Sequence, residues 1–244
     1  MKRNYQANLE FSRRRLIKFG TGFIGTATLT SVLGLNLKTT SSVVAQTTTE
    51  NKLTPDEALE KLMSGNQRFV DNQSTRHKES VAYLQSISED QKPFAAVIAC
   101  ADSRSSLEVV FDRGFGELFV VRDAGNVASP EEIGSLEFGT LVLGAKVIMV
   151  LGHYSCGAIK ATLKGDEVPG SIPSILAQIK PAVQDFQGQQ DDKVALQKAT
   201  EANVVYQMDK LKKSPVLAEL VATGQLKIVG GYLDFTTGKV SLVS

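Results

Sequence analysis

From residue 94 onward the chain alternates short apolar runs with polar or glycine-rich turns, and a helical repeat precedes them. Ala58, Leu59, Leu62, Met63, Phe69 and Val70 recur at three- and four-residue spacing, the stripe of an amphipathic helix. In front of that stripe, Thr54-Pro55-Asp56-Glu57 combines an N-cap, a proline at the first helical position and a glutamate at the third, which is a capping box. Four runs, Phe94–Ala99, Leu118–Val121, Lys146–Leu151 and Leu226–Val229, are rich in valine and isoleucine without clean alternation. Strands buried on both faces of a parallel sheet read this way. Ser129-Pro130-Glu131-Glu132 predicts a second capping box, with Ile133, Leu136, Leu141 and Leu143 on the helix that follows. A longer, more polar helical region covers about 172–220. The pattern predicts an α/β fold: a central, mostly parallel β-sheet of about four strands flanked by helices, with an N-terminal helical arm.

A length of 244 residues suits one well-buried domain, and only two cysteines exclude a disulfide scaffold. The near-neutral total charge hides an asymmetry. Residues 1–45 hold seven Lys/Arg against one acid, Glu10, which leaves the remainder with a net charge of −5. That body offers no general attraction to nucleic acid or anionic lipid. Ser12-Arg13-Arg14-Arg15-Leu16-Ile17-Lys18 is similar to a twin-arginine export motif. It precedes a weakly apolar stretch, Phe19 to Leu37, and then Val43-Val44-Ala45, where a signal peptidase would cut after Ala45. Residues 1–45 are therefore expected to be an export signal, 46–53 a flexible linker and 54–244 a single catalytic domain. The expected location is the periplasm or an equivalent extracytoplasmic space. An uncleaved signal would be the chain's only link to a membrane, although its Gly and Thr content makes it a poor span. His77, between Arg76 and Lys78, reads as a solvated polar turn.

In an open α/β sheet, ligands bind beyond the carboxyl ends of the strands. Cys100-Ala101-Asp102-Ser103-Arg104 closes the first apolar run, and His153-Tyr154-Ser155-Cys156-Gly157 closes the third. Both cysteines of the chain thus fall at predicted strand ends. If His153 and Cys156 stand in a first helical turn, their spacing puts them on one face, within reach of one ion. Two thiolates and an imidazole suit tetrahedral zinc, and three protein ligands leave a fourth position for water, as in catalytic zinc sites. Taken singly, each cysteine reads equally well as a small buried hydrophobe, and the pair as a disulfide in an oxidising compartment. Neither alternative accounts for Asp102 and Arg104.

Cys-x-Asp-Ser-Arg followed by His-x-x-Cys-Gly resembles the β-class carbonic anhydrases. The resemblance runs over about residues 55–244. It includes Gln91-Lys92-Pro93, Phe119-Val120-Val121-Arg122, Ala124-Gly125-Asn126, Ser135-Leu136-Glu137-Phe138 and the terminal Val229-Gly230-Gly231-Tyr232 with Thr237-Gly238-Lys239-Val240. It implies reversible hydration of CO2 to bicarbonate and a proton, by zinc-bound hydroxide that an Asp–Arg dyad orients. Carried over by motif position, Cys100, His153 and Cys156 would hold one Zn2+ per subunit, and Asp102 and Arg104 would form the dyad. Gln91, Phe119, Phe138 and Gly157 would meet the substrate. The resemblance also implies a homodimer or dimer-based oligomer with its centres at the subunit interface.

Arg122 reads more as an interface salt-bridge partner than as a site residue. In some relatives Asp102's counterpart closes the site as a fourth metal ligand, with bicarbonate held by a Trp, an Arg and a Tyr. Here Val97 and Leu233 fall at the Trp and Tyr positions, so that bicarbonate pocket is expected to be missing. Two rival readings share the ligand set: a hydrolase for carbon disulfide or carbonyl sulfide, and a zinc-binding or redox-sensing protein without turnover.

Overall fold

The computed structural model describes residues 52–75 and 79–244. The export segment, nearly all of the linker and His77 lie outside the described residues. Along the chain run α1 (Pro55–Val70), α2 (Val81–Ser86), β1 (Ala95–Cys100), α3 (Leu107–Val110), β2 (Leu118–Asp123), α4 (Pro130–Glu137), β3 (Val147–His153), α5 (Gly157–Lys164), α6 (Ile172–Val183), α7 (Lys193–Leu211), α8 (Pro215–Ala222), β4 (Lys227–Leu233) and β5 (Val240–Val243). The first capping box forms as its sequence predicts. Thr54 Oγ accepts from the Glu57 amide at 3.2 Å, and the Glu57 carboxylate accepts from the Thr54 amide at 2.7 Å. The second does not form. Ser129 is the N-cap of α4, but its hydroxyl bonds to the Glu131 and Glu132 carboxylates instead of to a backbone amide. That helix then widens into a π-turn over Phe138–Val142.

The sheet order is β2-β1-β3-β4-β5. β1 pairs in parallel with β2 and β3, and β3 with β4, while β5 runs antiparallel to β4. The sheet therefore has five strands rather than about four. Its fifth is only four residues long, Val-Ser-Leu-Val, and pairs with β4 alone, too short for its sequence to stand out as a strand. β1 and β3 are buried along their whole length, as the unalternating runs imply, whereas β2 lies at an edge and is half-exposed. Ala95, Val97, Ala99, Val147 and Met149 meet α1 and α3 on one face. On the other, Ala96, Ile98, Ile148 and Val150 meet α4, α7 and α8. A third cluster, including Ile159, Leu163, Ile179 and Leu196, gathers α5, α6 and α7 around Cys100 and Cys156.

From β1 the chain steps outward to β2, then crosses to β3 on the opposite side of β1. The carboxyl ends of β1 and β3 thus flank a topological switch point, where an open parallel sheet leaves a crevice. No helix among the described residues is long and apolar enough to cross a membrane.

Candidate metal centre

Cys100 is the last residue of β1 and His153 the last residue of β3, so both stand at the carboxyl ends of neighbouring parallel strands. A Cβ on Gly152 would lie 2.7 Å from the Thr200 side chain, so this position lets α7 press against the end of β3. The chain then turns through Tyr154 and Ser155, whose φ of 56° is in the left-handed region, and reaches Cys156 as the N-cap of α5. His153 and Cys156 are therefore brought together by a tight strand-to-helix turn, not by one helical face. Three residues separate them, but the turn rather than the pitch of a helix aligns the two donors.

The Cys100, His153 and Cys156 donor atoms all lie within 4.8 Å of one another, and all three residues are buried. No disulfide joins the two cysteines. His153 Nδ1 is 2.9 Å from the Tyr154 carbonyl, which assigns its hydrogen to Nδ1 and leaves a lone pair on Nε2. Nε2 is buried without a hydrogen-bond partner among the described residues. Beside Cys156 the Cys100 thiol is pulled well below its ordinary range, while Cys100 and burial push Cys156 up. The Gly125 amide, 3.3 Å from Cys100 Sγ, also favours the Cys100 thiolate. Two free buried thiols and an imidazole nitrogen converging in one pocket are a donor set that a thiophilic dication satisfies. The donor set fits zinc.

Asp102 stands at the rim. Arg104 grips it in a fork, with Nε 2.9 Å from Oδ1 and Nη2 2.7 Å from Oδ2, and the Arg104 amide adds a third bond at 2.9 Å. These bonds hold the carboxyl well below the usual carboxylate range. Asp102 Oδ2 is 3.9 Å from His153 Nε2, so the carboxylate faces the ligand pocket without bonding to the imidazole.

Among the described residues Arg122, on β2, bonds to backbone carbonyls and the Ser105 hydroxyl rather than to an acidic side chain. It donates Nε and Nη2 to the Cys100 carbonyl at 3.0 and 2.9 Å, and Nη2 to the Asp102 carbonyl at 2.7 Å. Buried Ser105 adds its hydroxyl to the Asp102 carbonyl at 3.0 Å. Asp123, opposite Cys100 in the sheet, is pushed up to about 7 by burial, against the Val127 amide that bonds to it.

Two buried amides on α7 hold the loop behind the pocket. Asn203 donates to the Gly125 carbonyl at 3.0 Å, and Gln207 accepts from the Ala128 amide at 3.0 Å and donates to Asn203 at 3.0 Å. Sequence reasoning missed this pair. The signal was present, because Asn203 and Gln207 are four apart in the same stripe as Ala199, Thr200 and Met208.

The remaining candidates divide. Gly157, the first residue of α5, is exposed beside Cys156, and a Cβ there would meet nothing within 4 Å. Gln91, Phe119 and Phe138 are not brought to the metal pocket of their own chain. Gln91 is exposed before the amino end of β1, in a cavity of about 540 Å³ lined also by Lys61, Tyr83, Phe94 and Phe115. Phe119 pairs with Ala96 near that same end, and its ring lies 6.5 Å from that of half-exposed Phe138. Ala96, at the level of Phe119, is four residues from Cys100 along β1 at about 3.3 Å per residue, and Gln91 lies farther still.

Three comparisons bear on this arrangement. The family described as "Carbonic anhydrase" matches residues 95–240. The carbonic anhydrase of Mycolicibacterium smegmatis is 36% identical over 199 residues, covering 78% of this chain and 94% of that protein. The Coccomyxa β-carbonic anhydrase, solved in complex with acetazolamide, superposes with a TM-score of 0.60 at 29% identity, covering 76% of this chain and 86% of that one. One of two tetrameric β-carbonic anhydrases of Sordaria macrospora shares the fold, with a TM-score of 0.63 at 21% identity over 76% of this chain and 96% of that one.

Proposed function

The chain belongs to the β class of the carbonic anhydrase family, and from that premise we propose how its residues carry out the reversible hydration of CO2 to bicarbonate and a proton. The observation that carries the reading is a pair of adjoining features. Three zinc-type donors converge in a buried pocket, and a carboxylate held by an arginine stands off them at its rim.

Cys100, His153 and Cys156 hold zinc, which supplies the Lewis acidity that makes water nucleophilic near neutral pH. Around it the chain's own groups act. Asp102, ionised and acceptor-only, takes a hydrogen bond from the attacking oxygen's remaining proton and turns a lone pair towards the carbon. Arg104 fixes the carboxylate's plane and keeps it off the ligand pocket. Tyr154, through its carbonyl, fixes the His153 ring. Arg122 holds the backbone between the first ligand and the dyad.

Gln91, Phe119 and Phe138 stand too far along β1 and β2 to serve their own chain's pocket. They serve the pocket of a second copy, where the two phenyl rings form an apolar wall and the Gln91 amide bonds the bicarbonate oxygens. This is the homodimer, or dimer-based oligomer, in which the centre lies at the subunit interface. Residues 1–45 act as a twin-arginine export signal that delivers the domain of residues 54–244 to an extracytoplasmic space. The paired arginines and the basic, acid-poor composition of the segment support this.

The deciding experiment is stopped-flow CO2 hydration with metal analysis of the same sample. One zinc per chain with hydration that disappears on chelation and returns with zinc is the expected result. Full hydration by metal-free protein, or turnover confined to carbon disulfide or carbonyl sulfide, would overturn the reading.

A further inference from the structure

Phe235 touches both halves of the centre. Its ring centroid is 4.9 Å from that of His153, with the planes 30° apart, and 4.5 Å from the Arg104 guanidinium carbon. The ring therefore packs against the one imidazole ligand and against the arginine that holds Asp102. A guanidinium over a phenyl face is attracted by the ring's quadrupole, and the contact fixes a side chain that is otherwise half in solvent.

The backbone that carries Phe235 is well anchored. It lies in the turn between β4 and β5, where Asp234 Oδ1 accepts from the Thr236 amide and hydroxyl, both at 2.8 Å. The Asp234 carbonyl accepts from the Gly238 amide at 2.7 Å. The turn is then tied to α1 by one buried side chain. Asn66 donates to the Gly238 carbonyl at 2.9 Å and to the Val110 carbonyl at 3.1 Å, and accepts from the Val240 amide at 2.8 Å. Gly238, at φ +73°, sits so close to Phe69 that a Cβ would lie 2.8 Å from its ring. The position of the ring is thus set by the core on the α1 face of the sheet, not by the loop it presses on.

We propose that Phe235 is a positioning residue that keeps Arg104 seated on Asp102 and so keeps that carboxylate away from the metal. This inference rests on the proposed function for its reaction but not for its geometry. Asp102 already points an oxygen at the ligand pocket, 3.9 Å from His153 Nε2; the Arg104 amide bonds Oδ1 alone, and the Arg104 side-chain fork is what holds Oδ2 back. Without the ring, Arg104 gains rotamers in which the fork opens, and the Asp102 carboxylate would be released towards a metal held by Cys100, His153 and Cys156.

The test uses the full chain loaded with zinc for kinetics and with Co(II) for spectroscopy, as wild type, Phe235→Leu and Phe235→Tyr. Phe235→Leu keeps apolar packing and loses the ring face; Phe235→Tyr keeps the ring. The expected result is unchanged metal stoichiometry in both. Turnover in Phe235→Leu should fall about threefold, the worth of one partly exposed cation–π contact. Its Co(II) absorption should also change shape, as a carboxylate replaces solvent on the metal, and both properties should return towards wild type in Phe235→Tyr. An active wild type with an indistinguishable Phe235→Leu spectrum and rate overturns the inference. Loss in both variants alike also overturns it, because that outcome indicates packing rather than the ring face. If Phe235→Leu fails to fold, Phe235→Met preserves volume without a ring and is read by the same criteria. A wild type that binds metal but hydrates no CO2 overturns the proposed function instead, and the Co(II) spectra then decide on Phe235 alone.

Discussion

The guanidinium of Arg122 donates two hydrogen bonds, at 3.0 and 2.9 Å, to the carbonyl oxygen of Cys100. A third, at 2.7 Å, reaches the Asp102 carbonyl. One side chain on β2 therefore holds the backbone on both sides of Ala101 and fixes the distance between metal ligand and dyad. Lysine offers a point charge rather than a fork and satisfies at most one of those carbonyls well. Arg122→Lys should retain zinc and fold but lose about tenfold in turnover, the scale of one charged hydrogen bond made only in correct geometry. Stopped-flow rates with metal analysis check this; a variant at wild-type turnover removes Arg122 from the positioning machinery.

The same engagement bears on inhibition by bicarbonate. A noncatalytic bicarbonate pocket would need a polar opening beside Arg122. Val97 and Leu233 instead lie in the core at 0% and 1% exposure, and Arg122 is committed to backbone carbonyls. Initial hydration rates titrated with bicarbonate should fall along a simple hyperbola. A steep, cooperative decline would show that a regulatory anion site exists after all.

Ligand and dyad should separate cleanly by mutation. Cys156→Ser removes a buried thiolate donor, so the protein should lose zinc and, with it, the stability that metal binding adds to folding. Asp102→Asn leaves all three donors in place and should keep stoichiometric zinc, while turnover falls by about a hundredfold, the usual scale for a positioned proton-handling group. Chelator-treated wild type should resemble Cys156→Ser in thermal melting and recover on zinc addition. Zinc loss in Asp102→Asn would mean that the carboxylate is a ligand in the working state.

The pH profile follows from charge. The Arg104 hydrogen bonds hold Asp102 below the usual carboxylate range, so it is ionised throughout the neutral region. A depressed carboxylate contributes stability that is present above its unfolded value, ~3.9, and is lost as pH falls through its folded value. Asp102 therefore cannot supply a titration near neutrality. With zinc held by Cys100, His153 and Cys156, the titration that governs hydration would be that of water the ion polarises, and two thiolates would cancel its formal charge and leave that water less acidic than in a three-histidine site. Hydration should climb between about pH 7 and 9. A rate already flat at about pH 6 would contradict this assignment.

What is legible in the sequence alone follows a physical division. β1 and β3 announced themselves because a strand covered on both faces needs an unbroken apolar run, and both ligand-bearing strand ends followed from those runs. β5 was silent because a short edge strand paired on one side has no such requirement. The donor set was readable as residue types, but the turn that joins His153 to Cys156 was not, since it depends on Ser155 taking φ 56°. The contacts of Arg122 and Phe235 were out of reach for a related reason. A long side chain on a strand and a ring in a turn declare their partners only once register and turn geometry are set.

The position of Gln91 makes the dimer testable without measuring mass. Within one chain it lies beyond the amino end of β1, whereas Cys100 closes the carboxyl end. If Gln91 serves a second copy's centre, a Cys156→Ser subunit paired with a Gln91→Ala subunit contains one complete centre. The Gln91→Ala chain supplies all three metal ligands, and the Cys156→Ser chain supplies the intact glutamine. Mixing the two after reversible dissociation should therefore restore activity to near half of wild type in each heterodimer, a fraction set by the one wild-type centre of two. If Gln91 acted within its own chain, one centre of that heterodimer would lack metal and the other its amide, and mixing would restore nothing. Activity no higher than the average of the two parents would thus refute the shared centre while leaving the zinc site of each chain intact.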